Sequence, residues 1–281
     1  MPAPQASMMK QLARTKFISF GIVVPTDFKA NAGVSPSAHY SKAFKQSELA
    51  VVPGVPPQAL FLAATPNKYQ VDTQKKLTQQ YGDFIDGVTA AICSAWGTWQ
   101  STAVLTGVIV NAVTAAGGTV VGPPLTPLIL AEAPNTTPML LKYSAAVANA
   151  VGTGWLTYQS TIMVAGMPWY PAFAAVPSPV APPSPNIPCP VAALTQVSAS
   201  ISTNALKGQM IGNLGDPTAP FHKELFESIS FAFEQCYNVW QASTMVTNVL
   251  GTGPVPVFAP PYVPVGPVVG GVANMTPGGF V

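Results

Sequence analysis

The sequence predicts a mainly α-helical chain in which three long helices each run out into an extended proline-rich arm, behind a partly β N-terminal segment. Three observations carry that prediction. First, an aromatic pair followed by glutamine and a Ser/Thr cluster recurs: Trp96-Gly-Thr-Trp99-Gln100-Ser101-Thr102, then 59 residues later Trp155-Leu-Thr-Tyr158-Gln159-Ser160-Thr161. A looser third copy is Tyr237-Asn-Val-Trp240-Gln241-Ala-Ser243-Thr244. Second, each copy lies in a segment whose apolar residues fall three or four apart, the period of one helix face. Third, each such segment stops at glycine and enters an uncharged proline-rich tract, where proline forbids helix continuation. Repetition of this kind marks a chain that uses one structural unit several times. It divides the chain into residues 1–71, extended and partly stranded, and three helix–arm repeats over 72–133, 134–215 and 216–281.

In the first segment, Phe17 to Val24 is rich in β-branched and aromatic residues and is bounded by Lys16 and Pro25, which reads as a strand. Asp72 or Thr73 opens the first long helix, with Leu77, Tyr81, Phe84, Ile85, Val88, Ile92, Trp96 and Trp99 on one face. Gly82, Gly87, Gly97 and Gly107 predict a kink within it and Gly117-Gly118 its stop. Pro123, Pro124 and Pro127 then predict an extended tract over 120–130. Thr137 and Pro138 form a cap and first turn for the second helix, which is expected to end near Ala165. A short helix is expected from Val191 to about Leu206. The third helix follows Asp216-Pro217-Thr218, with Glu224 and Glu227 near its positive end, and stops at Gly251 to Pro254.

Charge is scarce. Only 8% of the 281 residues are Asp, Glu, Lys or Arg, against about 25% in an ordinary soluble domain. Residues 87–131, 143–205 and 235–281 carry no charged side chain at all. A surface so poor in charge is weakly protected against association, which favours a protein that works inside an assembly. Residues 1–83 carry nine Lys/Arg and four Asp/Glu, but the cations are dispersed and read as a solvated face, not a nucleic-acid site. Basic and aromatic residues also occupy different thirds of the chain, which argues against a stacking groove for nucleic acid.

Membrane association is the runner-up. Residues 102–121 and 143–167 are uncharged, but Asn111, Gly117-Gly118 and the lack of dense flanking Lys/Arg disfavour bilayer spans. The apolar run ending at Pro25 resembles a short signal sequence, yet Asp27 and Lys29 fall in the expected cleavage region, so synthesis without a signal peptide is expected. Cys93, Cys189 and Cys236 are too few and too scattered for a disulfide framework.

No catalytic or cofactor-binding apparatus is legible. His222 with Glu224 or Glu227 has only a helix-start spacing, more typical of surface residues than of a metal site, and His39 lies in a Ser/Pro-rich loop. The residues of interest are therefore structural: Trp96, Trp99, Gln100, Trp155, Tyr158, Gln159, Tyr237, Trp240 and Gln241, read as packing between helices. Phe258 and Tyr262, in a tail too apolar to be left in water, are read as contacts of an arm with neighbouring subunits. In general character the chain is similar to structural subunits of large symmetric particles, such as bacteriophage virions, tails or baseplates and contractile injection machines. The similarity implies a non-enzymatic protein without cofactors, whose partners are copies of itself and other particle subunits.

Overall fold

The computed structural model describes residues 3–21, 68–259 and 263–281. Two compact units divide the chain, one comprising Met1–Phe20 with Phe84–Val281 and the other Gly21–Asp83. The second is described essentially through residues 68–83, which are helical. The α-helices are α1 (Ala6–Ser19), α2 (Lys68–Thr102), α3 (Leu125–Glu132), α4 (Pro138–Ser160), α5 (Thr203–Leu214) and α6 (His222–Ser243). The strands are β1 (Val104–Asn111), β2 (Thr114–Val121), β3 (Val164–Pro168), β4 (Val180–Pro185), β5 (Cys189–Pro190), β6 (Met245–Val246), β7 (Val249–Pro254), β8 (Phe258–Ala259), β9 (Val263–Pro264) and β10 (Gly271–Met275).

The expected mainly α fold with free arms is therefore corrected: the protein is an α/β mixture in which the arms fold back as an antiparallel sheet. Six strands pair in the order β3-β2-β1-β10-β7-β4. The sheet's two edges also meet, through an antiparallel bridge between Trp169 and Asn186 and a hydrogen bond of 3.1 Å from Ile187 N–H to the Pro168 carbonyl. Six strands thus close into a ring. Its narrow inside is lined by Val108, Val110, Ala181, Val249 and Ala273, all buried. Space there is short: a Cβ at Gly251 would sit 2.7 Å from Trp169 Cζ2.

Strand formation after α2 follows from alternation. Val108 and Val110 turn inward while Ile109 and Asn111 turn away, a period that no helix can bury on one side, and the alternation breaks before them at Gly107, whose φ is 70°. The helix expected to reach Gly117 therefore ends at Thr102, and a hairpin turns at Ala112, whose φ is 52°. Prolines in β4 are accommodated at a register shift between Ala181 and Ser184, where Pro182 and Pro183 need not donate to the ladder.

Three further corrections concern helices. The extended tract expected over 120–130 is β2 up to Val121 and then α3, with Pro124 as N-cap and Pro127 in the first turn, where a missing N–H leaves no bond unmade. The strand expected from Phe17 is the end of α1: Met9, Ala13 and Phe17 lie four apart and are buried together. The rest of the N-terminal reading, including His39, falls outside the described residues. The helix expected over 191–206 is instead two 3₁₀ turns, Val191–Ala193 and Ala199–Ile201, followed by α5. Thr137 Oγ1 accepts from Leu140 N at 3.2 Å and Pro138 opens α4, as their residue types predict.

The cations of α1 do not form a free solvated face. Lys10 and Arg14 both pair with Asp86 of α2, Arg14 through two hydrogen bonds of 2.5 and 2.7 Å, and Lys16 pairs with Glu227 of α6 at 3.3 Å. Burial pushes the Asp86 carboxyl up, but its hydrogen bonds from Arg14 and Lys10 outweigh that and hold it below the ordinary aspartate value. The Lys207 hydrogen bond, assisted by Lys16, likewise lowers Glu227.

Much of the C-terminal tail that the structure describes is built into the chain's own sheet and core. β10 is a central strand between β1 and β7, and Phe280 is buried, its ring stacked on Trp99 at 5.6 Å. Deleting residues 270–281 is expected to abolish the cooperative melt and the near-UV circular dichroism, because it splits the sheet between β1 and β7 and removes Phe280 from the aromatic core. A truncated chain with a native-like melt would contradict this placement. The ion pairs give a second prediction. Because the folded-state values of Asp86 and Glu227 are depressed, their contribution is present above about pH 4 and is lost as pH falls through the lowered values. Asp86→Asn should remove part of that acid-dependent loss in a pH series of urea melts, at a cost near neutrality of about 1 kcal/mol or less, since its partners are half-exposed.

Candidate functional site

The motif residues occupy the last turns of three helices and meet in one core. Phe84 packs on Tyr143 at 5.9 Å and Trp96 on Trp155 at 4.7 Å, both contacts joining positions 59 residues apart. Two contacts with one offset, more than three turns apart, show that α2 and α4 run parallel and in register. Tyr143 meets Phe226 at one level of α6, and Trp155 meets Trp240 nearer its C-terminus, so α6 runs the same way. Trp96, Trp99, Trp155, Tyr158, Tyr237 and Trp240 are all buried. Trp99 stands edge-on to Trp155 at 4.9 Å and Tyr158 edge-on to Tyr237 at 5.1 Å, the arrangement that ring quadrupoles favour.

The glutamines connect the helices. Trp99 Nε1 donates to Gln159 Oε1 at 2.6 Å, and Trp240 Nε1 donates to Gln100 Oε1 at 3.0 Å. Trp99 of the first copy thus reaches the glutamine of the second, and Trp240 of the third reaches that of the first, whereas the buried Nε1 groups of Trp96 and Trp155 have no hydrogen-bond partner. The last step of this cycle is replaced. Tyr158, at the place of the tryptophan in the second copy, donates through Oη to Gln196 Oε1 at 2.5 Å, and Tyr237 also reaches Gln196 at 3.4 Å. Burial, aided by the neighbouring Tyr237, raises the Tyr158 phenol far above its ordinary value. Gln241 is half-buried at the edge of the core. Gln100 additionally donates to the Phe280 carbonyl at 3.0 Å, tying the tail to the motif.

The hydroxyls that follow each pair bond back along their helices. Thr102 Oγ1 donates to the Thr98 carbonyl at 2.7 Å, Ser160 Oγ to Thr157 at 2.7 Å, and Ser243 Oγ to Val239 at 2.7 Å. Of the tail candidates, Phe258 begins β8, with its side chain outside the described residues, and Tyr262 lies outside them altogether. Sequence reasoning missed Gln196, Trp169 and Asn186, and it set the tail's Phe280 against a neighbouring subunit where the structure stacks it on Trp99. Asn186 is buried and fully engaged, donating to the Ile187 and Val246 carbonyls and accepting from Val249 N. Its sole sequence signal was a polar residue within an apolar proline tract.

Little here is arranged for chemistry. Burial pushes the Cys93 thiol up to about 12, with a contribution from nearby Cys236, and the Cys236 thiol up to about 11, so both are inert as nucleophiles. His222 is buried, its Nδ1 2.5 Å from the Ala219 carbonyl, while Glu227 is engaged by Lys207 and Lys16. No group of three or more His, Cys, Asp or Glu among the described residues is placed to hold a metal ion. Among the described residues, an open groove of about 580 Å³ lies between Leu12, Lys16 and Phe231, and another of about 370 Å³ is lined by Phe173, Val176 and Pro182. Comparison with known proteins finds no matching family, curated sequence or solved structure.

Trp155→Ala is expected to cost about 3–5 kcal/mol in chemical denaturation. Gln159→Ala should cost about 1–3 kcal/mol by orphaning the buried Trp99 N–H, whereas Gln241→Ala should stay within about 0.5 kcal/mol. Equal costs for the two glutamine variants would contradict the hydrogen-bond cycle.

Proposed function

We propose that the chain is a non-enzymatic structural subunit of a large protein assembly, of the class that includes phage virions, tails, baseplates and contractile injection particles. One observation carries this reading. The six ring strands contain no charged residue, and their outer side exposes large apolar residues, among them Ile109, Val121, Val180, Leu250 and Val272. A wall of that kind matches protein–protein contact better than free solvent. The motif rings are consumed in packing against one another and offer no platform for a sugar or nucleobase. The outer side of the ring, and not a detached arm, is accordingly the contact surface in this reading, and the partners are other subunits of the particle or copies of the chain itself. The protein would function within the particle. No helix among the described residues is long and apolar enough to cross a membrane.

Sedimentation of gently lysed native cells tests the reading. The protein is expected in a fast-sedimenting fraction, in fixed stoichiometry with the same companions across preparations. Recovery wholly as a free 29.1 kDa species would count against it.

A further inference from the structure

Helix α1 brings a sulfur atom into the space between α2 and α6. It runs antiparallel to α2, because Arg14 bonds Asp86 while Met9, earlier in α1, meets Cys93, later in α2. Lys16 pairs with Glu227, which sets the level of α1 on α6. At a rise of about 1.5 Å per residue, the step from Lys16 back to Met9 covers about 10 Å and carries Met9 to the turn of α6 that holds Cys236. On α6, Cys236 shares one buried stripe with Ala232 and Trp240, and Trp240 and Phe233 pack on Trp96, one turn beyond Cys93. Three sulfurs from three helices therefore share one level of the core.

The sulfurs are close and shielded. Cys93 Sγ stands 3.8 Å from Met9 Sδ, and Met9, Cys93 and Cys236 are 0, 6 and 1% exposed. The charge of an ionised Cys236 disfavours ionisation of Cys93, so the two thiols lie within electrostatic reach. Thiolate and thioether donors together suit a soft cation, above all copper(I). Zinc needs a fourth ligand, and no group of three or more His, Cys, Asp or Glu among the described residues supplies one. A trigonal ion at about 2.3 Å from each sulfur, the usual thiolate–metal length, keeps the sulfurs about 4 Å apart. The Cys93–Met9 pair already has that spacing.

We propose that Met9, Cys93 and Cys236 form a copper(I) site that ties α1 to α2 and α6. Binding exchanges the two thiol protons, released to water, for one copper(I), with no change of oxidation state. The bound unit then carries one net negative charge. Trp96 carries a buried indole N–H without a hydrogen-bond partner, and helical side chains lean toward the N-terminal turn, here that of Cys93. A hydrogen-bond donor for that charge is thus present on the same face. The site goes beyond the structural-subunit reading and does not depend on it.

The test is an oxygen-free titration of the reduced full-length chain with copper(I) held by bicinchoninate, followed by X-ray absorption of the complex. One copper per chain in a shell of sulfur alone is expected, with a raised melting temperature. Affinity should fall about 100-fold for each unit of pH lowered, because two protons compete with the ion. Cys93→Ser and Cys236→Ser should each weaken binding about 100-fold or more and Met9→Leu about tenfold, losses at or above those of outer-shell changes. Cys189→Ser, in β5, should bind as the unaltered chain does. A serine variant without a native melt is replaced by the alanine variant at the same position. No copper retained against the competitor, a shell containing nitrogen or oxygen, or equal affinity in the Cys93 and Cys236 variants overturns the proposal.

Discussion

The burial of six large rings between three parallel helices is the constraint on which the rest of the structure depends. No helix could bury its own aromatic pair alone, and rings of this size need partners on several sides. Trp96 has them in Trp155, Phe233 and Trp240, at centroid separations of 4.7, 5.1 and 5.6 Å. Each such ring pair contributes about 0.5–1.5 kcal/mol beyond the area it buries. Because the motif sits in the last turn of each helix, in-register packing brings Thr102, Ser160 and Ser243 to a common level. The chain leaves the bundle from three neighbouring points, and the strands that begin there are already placed to pair.

The strand ring resolves the tension between an apolar, proline-rich composition and water. Backbone donors and acceptors are satisfied by the ladders, and prolines fall at strand ends or at the shift in β4 where no donor is required. Small residues at Gly251, Ala181 and Ala273 let the ring stay narrow enough for Trp169 to pack against Gly251. The scarcity of charge is concentrated on this half of the molecule, whereas ionic contacts such as Arg14–Asp86 and Lys207–Glu227 hold helices. Packing and surface chemistry are thus separated along the axis, with an aromatic core and ionic braces on the helices and an uncharged apolar wall on the strands.

The aromatic motif and its helical setting were legible in the sequence because helix periodicity is local: Trp96 and Trp99 share a face wherever the helix goes. The strands were not. Residues 104–121 mix Gly, Ala and Thr with Val and carry only a weak alternation, and their pairing with β3 and β10 joins segments dozens to more than a hundred residues apart. Proline was read as a sign of extended, unpaired chain, which holds for an isolated segment but fails where a bulge or a strand end absorbs the missing donor. Phe280 and Gln196 carried no local signal, since their partners Trp99 and Tyr158 are distant in sequence. The tail's composition indicated that it needs a surface, and for Val255, Val268 and Phe280, all buried, that surface belongs to the same chain.

The account's central claim is that the strands following the three motif helices close one ring within a single chain. Isotope-filtered nuclear Overhauser spectroscopy on a mixture of labelled and unlabelled protein tests it most directly. The predicted result is three sets of cross-strand contacts, Ala115 with Met167, Ala181 with Gly253 and Val108 with Ala273, all arising within one molecule. Absence of any one set under folding conditions, or its appearance between labelled and unlabelled chains, would contradict the ring.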